Sequence, residues 1–507
     1  MRFNEKTDGV NKTVNHEGEE AYKLTPQMEL YSTVCTASLQ NKFYEDKDKT
    51  VERIRELVKK NKPEFVAKLA IYTREQMYLR SVPLLLAVEL AKIHKGDNTV
   101  SKLVSRIIQR PDEITEILAY YQLANKRTDT KKLGKLSKQI MKGVAYSFNK
   151  FDEYQFSKYD RKTQVTLKDA LFLTHPKPKN EEQQALFNKI VEGTLEVPYT
   201  WEVELTKAGQ EDKSKKEIWE QLIDSKKVGY MALLRNLRNI LEAEVSDEHI
   251  SKVCNFLFNE TAVKNSKQLP FRYYSAYKEV GKLPTVKVNI MLNTISKAID
   301  ISCNNLPGFK GKVMVGVDNS QSMTSNPISP RSKVTRCDIA CVLASMFVKI
   351  SSENIVSVFA DEFKLANVLS TDSVLTNAEK IASVGVGAGC CTNGFKVPEY
   401  ARKNKINVDY FVIFTDLQMY DADWVSYQRT PPERGRSFKE ELKKYKEEVN
   451  PNVKVISFDV AGYGTTPINN DEKDAFLIAG WSDKVFNVLE AIKNGEKALS
   501  EVEKIKL

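Results

Sequence analysis

The stretch Val313-Met314-Val315-Gly316-Val317-Asp318-Asn319-Ser320-Gln321-Ser322 decides how the C-terminal part of this 507-residue chain folds. An unbroken apolar run that ends on a carboxylate reads as a strand buried on both faces, as in a parallel sheet. Asp318, Ser320 and Ser322 then alternate along the turn that leaves the strand. Open α/β sheets bind ligands at the carboxyl ends of their strands. Two hydroxyls and a carboxylate aimed at one point there make an open site for a divalent cation.

The residues after this stretch supply the rest of such a sheet. A helix is predicted over Cys337–Ile350, a strand over Ile355–Ala360 and a short antiparallel partner over Lys364–Val368. Residues near Leu375–Ala382 read as helical, Tyr410–Thr415 and Val453–Val460 as buried strands. Phe476-Leu477-Ile478 is a last apolar run, and a helix follows over Asp483–Ile492. Strands alternating with helices imply a mainly parallel, doubly wound sheet. Two further segments are expected to join the first loop, each read as lying at a strand end. One is Gly387–Gly394, which carries Thr392; the other is Thr415-Asp416. Hydroxyl and carboxylate oxygens suit Mg²⁺ first, with Mn²⁺ or Ca²⁺ as alternatives, rather than Zn²⁺.

These three loops, in this order, resemble the von Willebrand factor A family and its metal-ion-dependent adhesion site. The resemblance implies that Ser320, Ser322 and Thr392 bind the ion directly and that Asp318 and Asp416 act largely through water. It also implies one coordination position left for an acidic group of a protein partner. The chain departs from the family beside Thr392, where Cys391 and Asn393 stand and many relatives have an acidic neighbour. Cys337, Cys341, Cys390 and Cys391 raise a soft-metal cluster as an alternative. Their spacing is not that of a zinc ribbon, and the expectation is that they are small packed side chains. No histidine or additional acidic pair sits in these motifs to act as a general base, which argues against catalysis.

Composition fits a globular protein, with 41% hydrophobic and 28% charged residues. No apolar run is long enough to cross a membrane, and the polar N-terminus has no signal-peptide core. Seven scattered cysteines suggest a reducing cytoplasm. Net charge is +10. Between Lys126 and Lys179 fourteen basic side chains face five acidic ones, so nearly the whole excess is concentrated there. A field of this kind suits a phosphate backbone.

Residues 1–20 are polar and read as a loosely attached segment. From about Thr25 to Ile301 the pattern is helical. Helices are predicted over Thr50–Lys60, from Pro63, from near Pro83 and from Pro111. Short helices punctuated by Pro, Asp or Asn suggest an α-solenoid, although no strict period is found. Asn304-Asn305-Leu306-Pro307-Gly308 reads as a linker. The expected domains are therefore a polar segment (1–20), a helical-repeat domain (21–303) and the α/β domain (304–507).

Ala232–Asn239 and Pro270–Ala276 closely resemble motifs of the TROVE-domain family, the family of the Ro autoantigen and its bacterial and phage relatives. Lys158–Pro176 resembles a third with substitutions, and the order, helical module first and A-domain last, is the same. Leu30–Leu39 lacks the family's arginine-phenylalanine-leucine signature, so contacts of the first helix are not carried over. The resemblance implies a HEAT-like helical-repeat ring closed by the A-domain, with small structured Y-like RNA on its outer face and single-stranded 3′ ends in a central hole. It also implies a role in RNA quality control or decay, and an exoribonuclease such as polynucleotide phosphorylase as a possible partner.

The basic residues expected to face RNA are Lys126, Arg127, Lys131, Lys132, Lys135, Lys138, Lys158, Arg161, Lys168 and His175. Tyr120, Tyr121, Tyr159 and Tyr273 are candidates to stack on bases, although tyrosines at helical spacing are more often core. Arg235–Asn239 is expected to cap or bridge repeats. The leading expectation is a monomeric, non-enzymatic RNA-binding scaffold. The competing ones are a metal-dependent protein-binding adaptor and, disfavoured because carboxylates for two-metal chemistry do not cluster, a metal-dependent nuclease.

Overall fold

In the computed structural model of the chain the described residues are 12–37, 47–125, 136–160, 163–211, 213–304, 306–325, 327–328, 333–419, 437–469, 474–493 and 499–507. The chain divides into two compact units. One holds residues 1–51, 229–242 and 250–500; the other holds 52–228, 243–249 and 501–507.

The first unit is built on two sheets. A small antiparallel sheet pairs β1 (Lys12–Val14) with β2 (Glu20–Lys23). The main sheet begins with β3 (Phe309–Asp318), β4 (Ser351–Phe359), β5 (Phe363–Ala366), β6 (Tyr410–Thr415) and β7 (Lys454–Asp459). After β7 come β8 (Thr465–Thr466), which pairs with β2 in the small sheet, and β9 (Ala475–Ala479). The main sheet runs β5-β4-β3-β6-β7-β9, parallel throughout except for the antiparallel edge strand β5. Strand order thus reverses around β3, and the β3 loop lies where an open sheet parts its crossovers. Every residue from Val313 to Asp318 is buried, as the apolar run requires.

The helix Arg336–Ile350 is buried along almost its whole length. It starts on a reciprocal cap: Asp338 N–H donates to Thr335 Oγ1 at 3.1 Å and Thr335 N–H to Asp338 Oδ2 at 2.9 Å. Asp338 also accepts from Lys278 Nζ at 2.8 Å, which ties the helix Pro270–Val280 to the sheet layer.

The second unit is helical. Lys47–Lys60, Pro63–Glu75, Ser81–Ile93, Thr99–Ile107 and Pro111–Ala124 follow one another, and further helices run to Lys215–Asp224. A buried ion pair joins three of them. Arg74 Nη2 donates to both carboxylate oxygens of Glu113, at 2.8 and 3.1 Å, and Arg74 Nε donates to the Ile107 carbonyl at 3.0 Å. Glu113 also accepts the N–H groups of Gln109 and Arg110, so the first turn of its helix is capped by the same carboxylate. A pair this fully hydrogen-bonded withstands burial where a bare one would not.

Residues 12–20 are not loosely attached. They form β1 and the turn into β2, and Asn15 inside that turn is buried. Asn15 Nδ2 donates to the Met419 carbonyl at 2.7 Å, and its Oδ1 accepts the N–H groups of Glu17 and Glu19. The polarity of the segment reflects a turn-capping asparagine, not freedom from the fold. Among the described residues no helix is long and apolar enough to cross a membrane.

Candidate metal centre and nucleic-acid surface

Four of the predicted oxygen ligands, Asp318, Ser320, Ser322 and Asp416, lie together at the carboxyl edge of β3 and β6. Asp318, Ser320, Ser322, Thr392 and Asp416 are all buried. Asp318 Oδ1 accepts the Ser320 N–H at 2.9 Å and Oδ2 accepts the Thr415 hydroxyl at 2.6 Å, which locks the first loop to the third. Ser320 Oγ and Ser322 Oγ lie 3.2 Å apart. The second loop reaches them through its backbone, because Gln321 N–H donates to the Cys390 carbonyl at 3.0 Å.

That second loop is not at a strand end. It joins the helices Val374–Gly385 and Lys396–Lys403, and it is pinned to the end of β4 by Asn393 N–H donating to the Ala360 carbonyl at 3.3 Å. Glycines 387, 389 and 394 and the lack of an apolar run give the segment no strand of its own.

Charge in this pocket is poorly compensated by the protein alone. Burial, reinforced by neighbouring Asp416, pushes the Asp318 carboxyl up to about 7. Asp416 is also raised, by burial, against the opposing pull of the Ser322 hydroxyl and the Arg336 guanidinium. Asp416 Oδ1 accepts the Gln418 N–H at 3.1 Å, whereas its buried Oδ2 has no hydrogen-bond partner. A buried carboxylate oxygen without a partner, beside two serine hydroxyls, fits a hard divalent cation and its waters.

Several neighbours escaped the sequence reading. Arg336 is buried and donates from Nη1 to the Ser322 carbonyl at 3.2 Å. Its guanidinium stands 5.5 Å over the Tyr463 ring, which meets the His16 ring edge-on at 5.3 Å. Gln418 accepts the His16 N–H at 2.9 Å, and Glu17 is close enough to Asp416 to be raised by it, after burial. Asp459 ends β7 much as Asp416 follows β6. It is already satisfied, by the N–H groups of Ala461 and Gly462 at 2.9 and 2.7 Å and by the Ser32 hydroxyl. Asp459 thus anchors the helix Pro26–Cys35 and is no spare ligand.

The four cysteines do not cluster. Among the described residues the only group of three or more candidate metal-ligating side chains is Asp361, Cys390 and Cys391. Cys337 instead packs against Asn319 and is buried with Cys341.

On the helical side, Lys126, Arg127, Lys131, Lys132, Lys135 and Arg161 lie outside the described residues. Lys138, Lys158, Lys168 and His175 are described and exposed. Lys138 lines a cleft of about 480 Å³ together with Lys92, His94 and Lys95. His175, left-handed at φ 46°, caps the helix Leu167–Thr174 and lines a different, smaller cleft of about 250 Å³ with Phe172 and Asn188. Phe172 is 52% exposed and was not singled out from sequence, although its place off the apolar face marked it.

Of the two roles open to the tyrosines, the structure favours packing over base stacking. Tyr121 and Tyr273 are buried, and Tyr273 meets Tyr230 edge-on at 6.4 Å, as core rings do. Tyr120 is mostly buried, which raises its hydroxyl to about 12. Tyr159 is covered by the Arg110 guanidinium at 4.1 Å from its ring centre. In the Arg235–Asn239 motif, Asn236 donates to the Ala232 carbonyl and Asn239 to Asn236. Arg238 pairs with Glu242 at 3.0 Å and reaches Glu279 of the helix Pro270–Val280 at 4.0 Å, the bridging role expected of it.

The TROVE domain profile matches residues 7–196 and 192–306, and the Ro60 vWA domain profile matches residues 312–492. The chain belongs to the TROVE family. It is a Ro-like member of this family of RNA-binding proteins, with the von Willebrand A domain at its C-terminal end. The crystal structure of the Deinococcus radiodurans RO (RSR) protein has the same fold, at TM-score 0.61 and 17% identity, covering 93% of this chain and 100% of that one. Telomerase protein component 1 of Mus musculus is 25% identical over 339 residues, and that of Rattus norvegicus 24%. These alignments take in 51% of this TROVE chain but only 13% of either relative's length.

Proposed function

We propose that this TROVE protein is a non-catalytic RNA-binding scaffold of the Ro type. Its ligands are small structured, Y-like RNA and single-stranded RNA 3′ ends. The proposal includes the closed ring that the family resemblance implies and a cytoplasmic role in RNA quality control or decay. An exoribonuclease such as polynucleotide phosphorylase is a partner that could consume the ends it presents. The observation that carries the reading is the family match, which runs along the helical region up to residue 306. Exposed Lys138, Lys158, Lys168 and His175 on that region, with exposed Phe172, supply phosphate attraction and a stacking face. In the A-domain, Ser320, Ser322 and Thr392 would hold Mg²⁺, with Asp318 and Asp416 acting through water. A bound cation neutralises the buried carboxylates and offers a coordination position to an acidic partner group. Sequencing RNA that co-purifies with the chain tests the proposal. Enrichment of one or a few small structured RNAs is expected, and recovery of RNA in proportion to its cellular abundance contradicts it.

A second reading, a metal-dependent protein-binding adaptor, is favoured by the partnerless Asp416 oxygen. The two are compatible, because the helical array and the A-domain loops are different surfaces of the chain.

A further inference from the structure

Asp361, Cys390 and Cys391 offer one carboxylate oxygen and two sulfurs that all lie within 4.8 Å of one another. The donors come from two segments that the fold brings together, the turn between β4 and β5 and the loop 387–394. The loop is shaped around the carboxylate. Asp361 Oδ2 accepts the Cys390 N–H at 3.1 Å and Oδ1 accepts the Cys391 N–H at 3.0 Å. Gly389 holds φ at +105°, and a Cβ there would fall 2.0 Å from Asp361 Oδ2. Only glycine lets the backbone wrap this closely. Lys396 Nζ sits on the Asp361 carbonyl at 2.6 Å and fixes the turn from the other side. Cys390 is exposed and Cys391 half-buried, so the donors are open to solvent.

We propose that Asp361, Cys390 and Cys391 form a second cation site, for a thiophilic divalent ion of the Zn²⁺ class, separate from the hard-oxygen centre. Two sulfurs and one oxygen are a donor set that Mg²⁺ and Ca²⁺ disfavour and Zn²⁺ accepts, with a fourth position left for water or an external ligand. Tetrahedral zinc–sulfur bonding asks for donor separations of about 3.7 Å, within reach of small side-chain rotations from the arrangement present. Binding releases the two thiol protons to solvent, and the two thiolates with the carboxylate then outweigh the ion's charge by one, next to Lys396. The site shares a loop with Thr392, and the Cys390 carbonyl is the acceptor for Gln321 between the two metal-site serines.

The test is cobalt titration of the full-length, fully reduced chain. Cobalt on thiolates gives an intense charge-transfer band, which cobalt on the oxygen-only centre does not. One equivalent is expected to develop this band, and one equivalent of Zn²⁺ to abolish it. The band should disappear in Cys390→Ser and in Cys391→Ser, weaken at least tenfold in apparent affinity in Asp361→Asn, and persist in Cys341→Ser. Cys390 is exposed, so Cys390→Ser is expected to keep the wild-type thermal melt. Absence of the band in the reduced wild-type chain would overturn the proposal, as would a band that survives Cys390→Ser. Thiol counting on the reduced protein ensures that a Cys390–Cys391 disulfide is not what removes the signal.

Discussion

At the scale of single residues, Asp416 is a buried carboxylate that the protein alone leaves poorly compensated. Its Oδ2 is buried without a partner, and neighbouring Asp318 is raised to about 7 by burial and by Asp416 itself. Both folded-state values lie above that of an unfolded aspartate, so in the metal-free chain the group stabilises the fold only when protonated. That contribution is present at low pH and is lost as pH rises from about 4 towards about 7. A cation reverses the sign by neutralising the ionised pair. The rise in melting temperature caused by Mn²⁺ or Mg²⁺ should therefore grow between about pH 5 and about pH 7.5, and vanish in Asp416→Asn. Differential scanning calorimetry with and without metal measures both. The aspartates and serines were legible in the sequence because each follows an apolar strand. Arg336 and Asp361 were not, because their partners lie far away in the chain and no local pattern announces them.

At the scale of elements, the parallel strands were the easiest to read. Val313–Val317 and Phe411–Thr415 are buried throughout, and such strands write themselves as near-continuous apolar runs. β1 and β2 were invisible for the opposite reason. They span three and four residues and bury little beyond Ala21 and Tyr22. The second metal loop was misplaced to a strand end because glycine-rich turns look alike whatever they connect. In the helical unit, the proline-led helices at Pro63 and Pro111 were legible, whereas the pair that joins them was not. Arg74→Met should show its importance. Removing Arg74 leaves the buried Glu113 with only the half-exposed Arg80, at 3.4 Å, as a counter-charge, a loss of up to about 3–5 kcal/mol. Urea denaturation should report this as a lowered midpoint with little change in slope. Arg238→Met, at an exposed pair, should cost no more than about 1 kcal/mol.

At the scale of the whole molecule, charge and metal chemistry occupy different parts of the chain. The basic excess falls between Lys126 and Lys179, while the oxygen groups of the candidate metal centre lie beyond residue 317. RNA affinity should therefore follow the lysines and be indifferent to the metal. The family resemblance was carried by motifs such as Ala232–Asn239, in which Asn236 bonds within its own helix and Arg238 reaches Glu279 of another. Exposed side chains such as Phe172 have no periodic signature of their own, whereas Tyr121 and Tyr273, at helical spacing, take the core role that such spacing favours.

The most direct test is fluorescence anisotropy of a labelled hairpin RNA with a single-stranded 3′ tail, titrated with the full chain across a range of salt. Affinity should fall linearly with salt on logarithmic axes. Replacing Lys131, Lys132, Lys135 and Lys138 by glutamine should flatten the slope, by about one unit for each phosphate that a lysine had neutralised. Ser320→Ala should leave the curve unchanged. No detectable binding at low salt, or binding unaltered by the four lysine substitutions, would contradict the account.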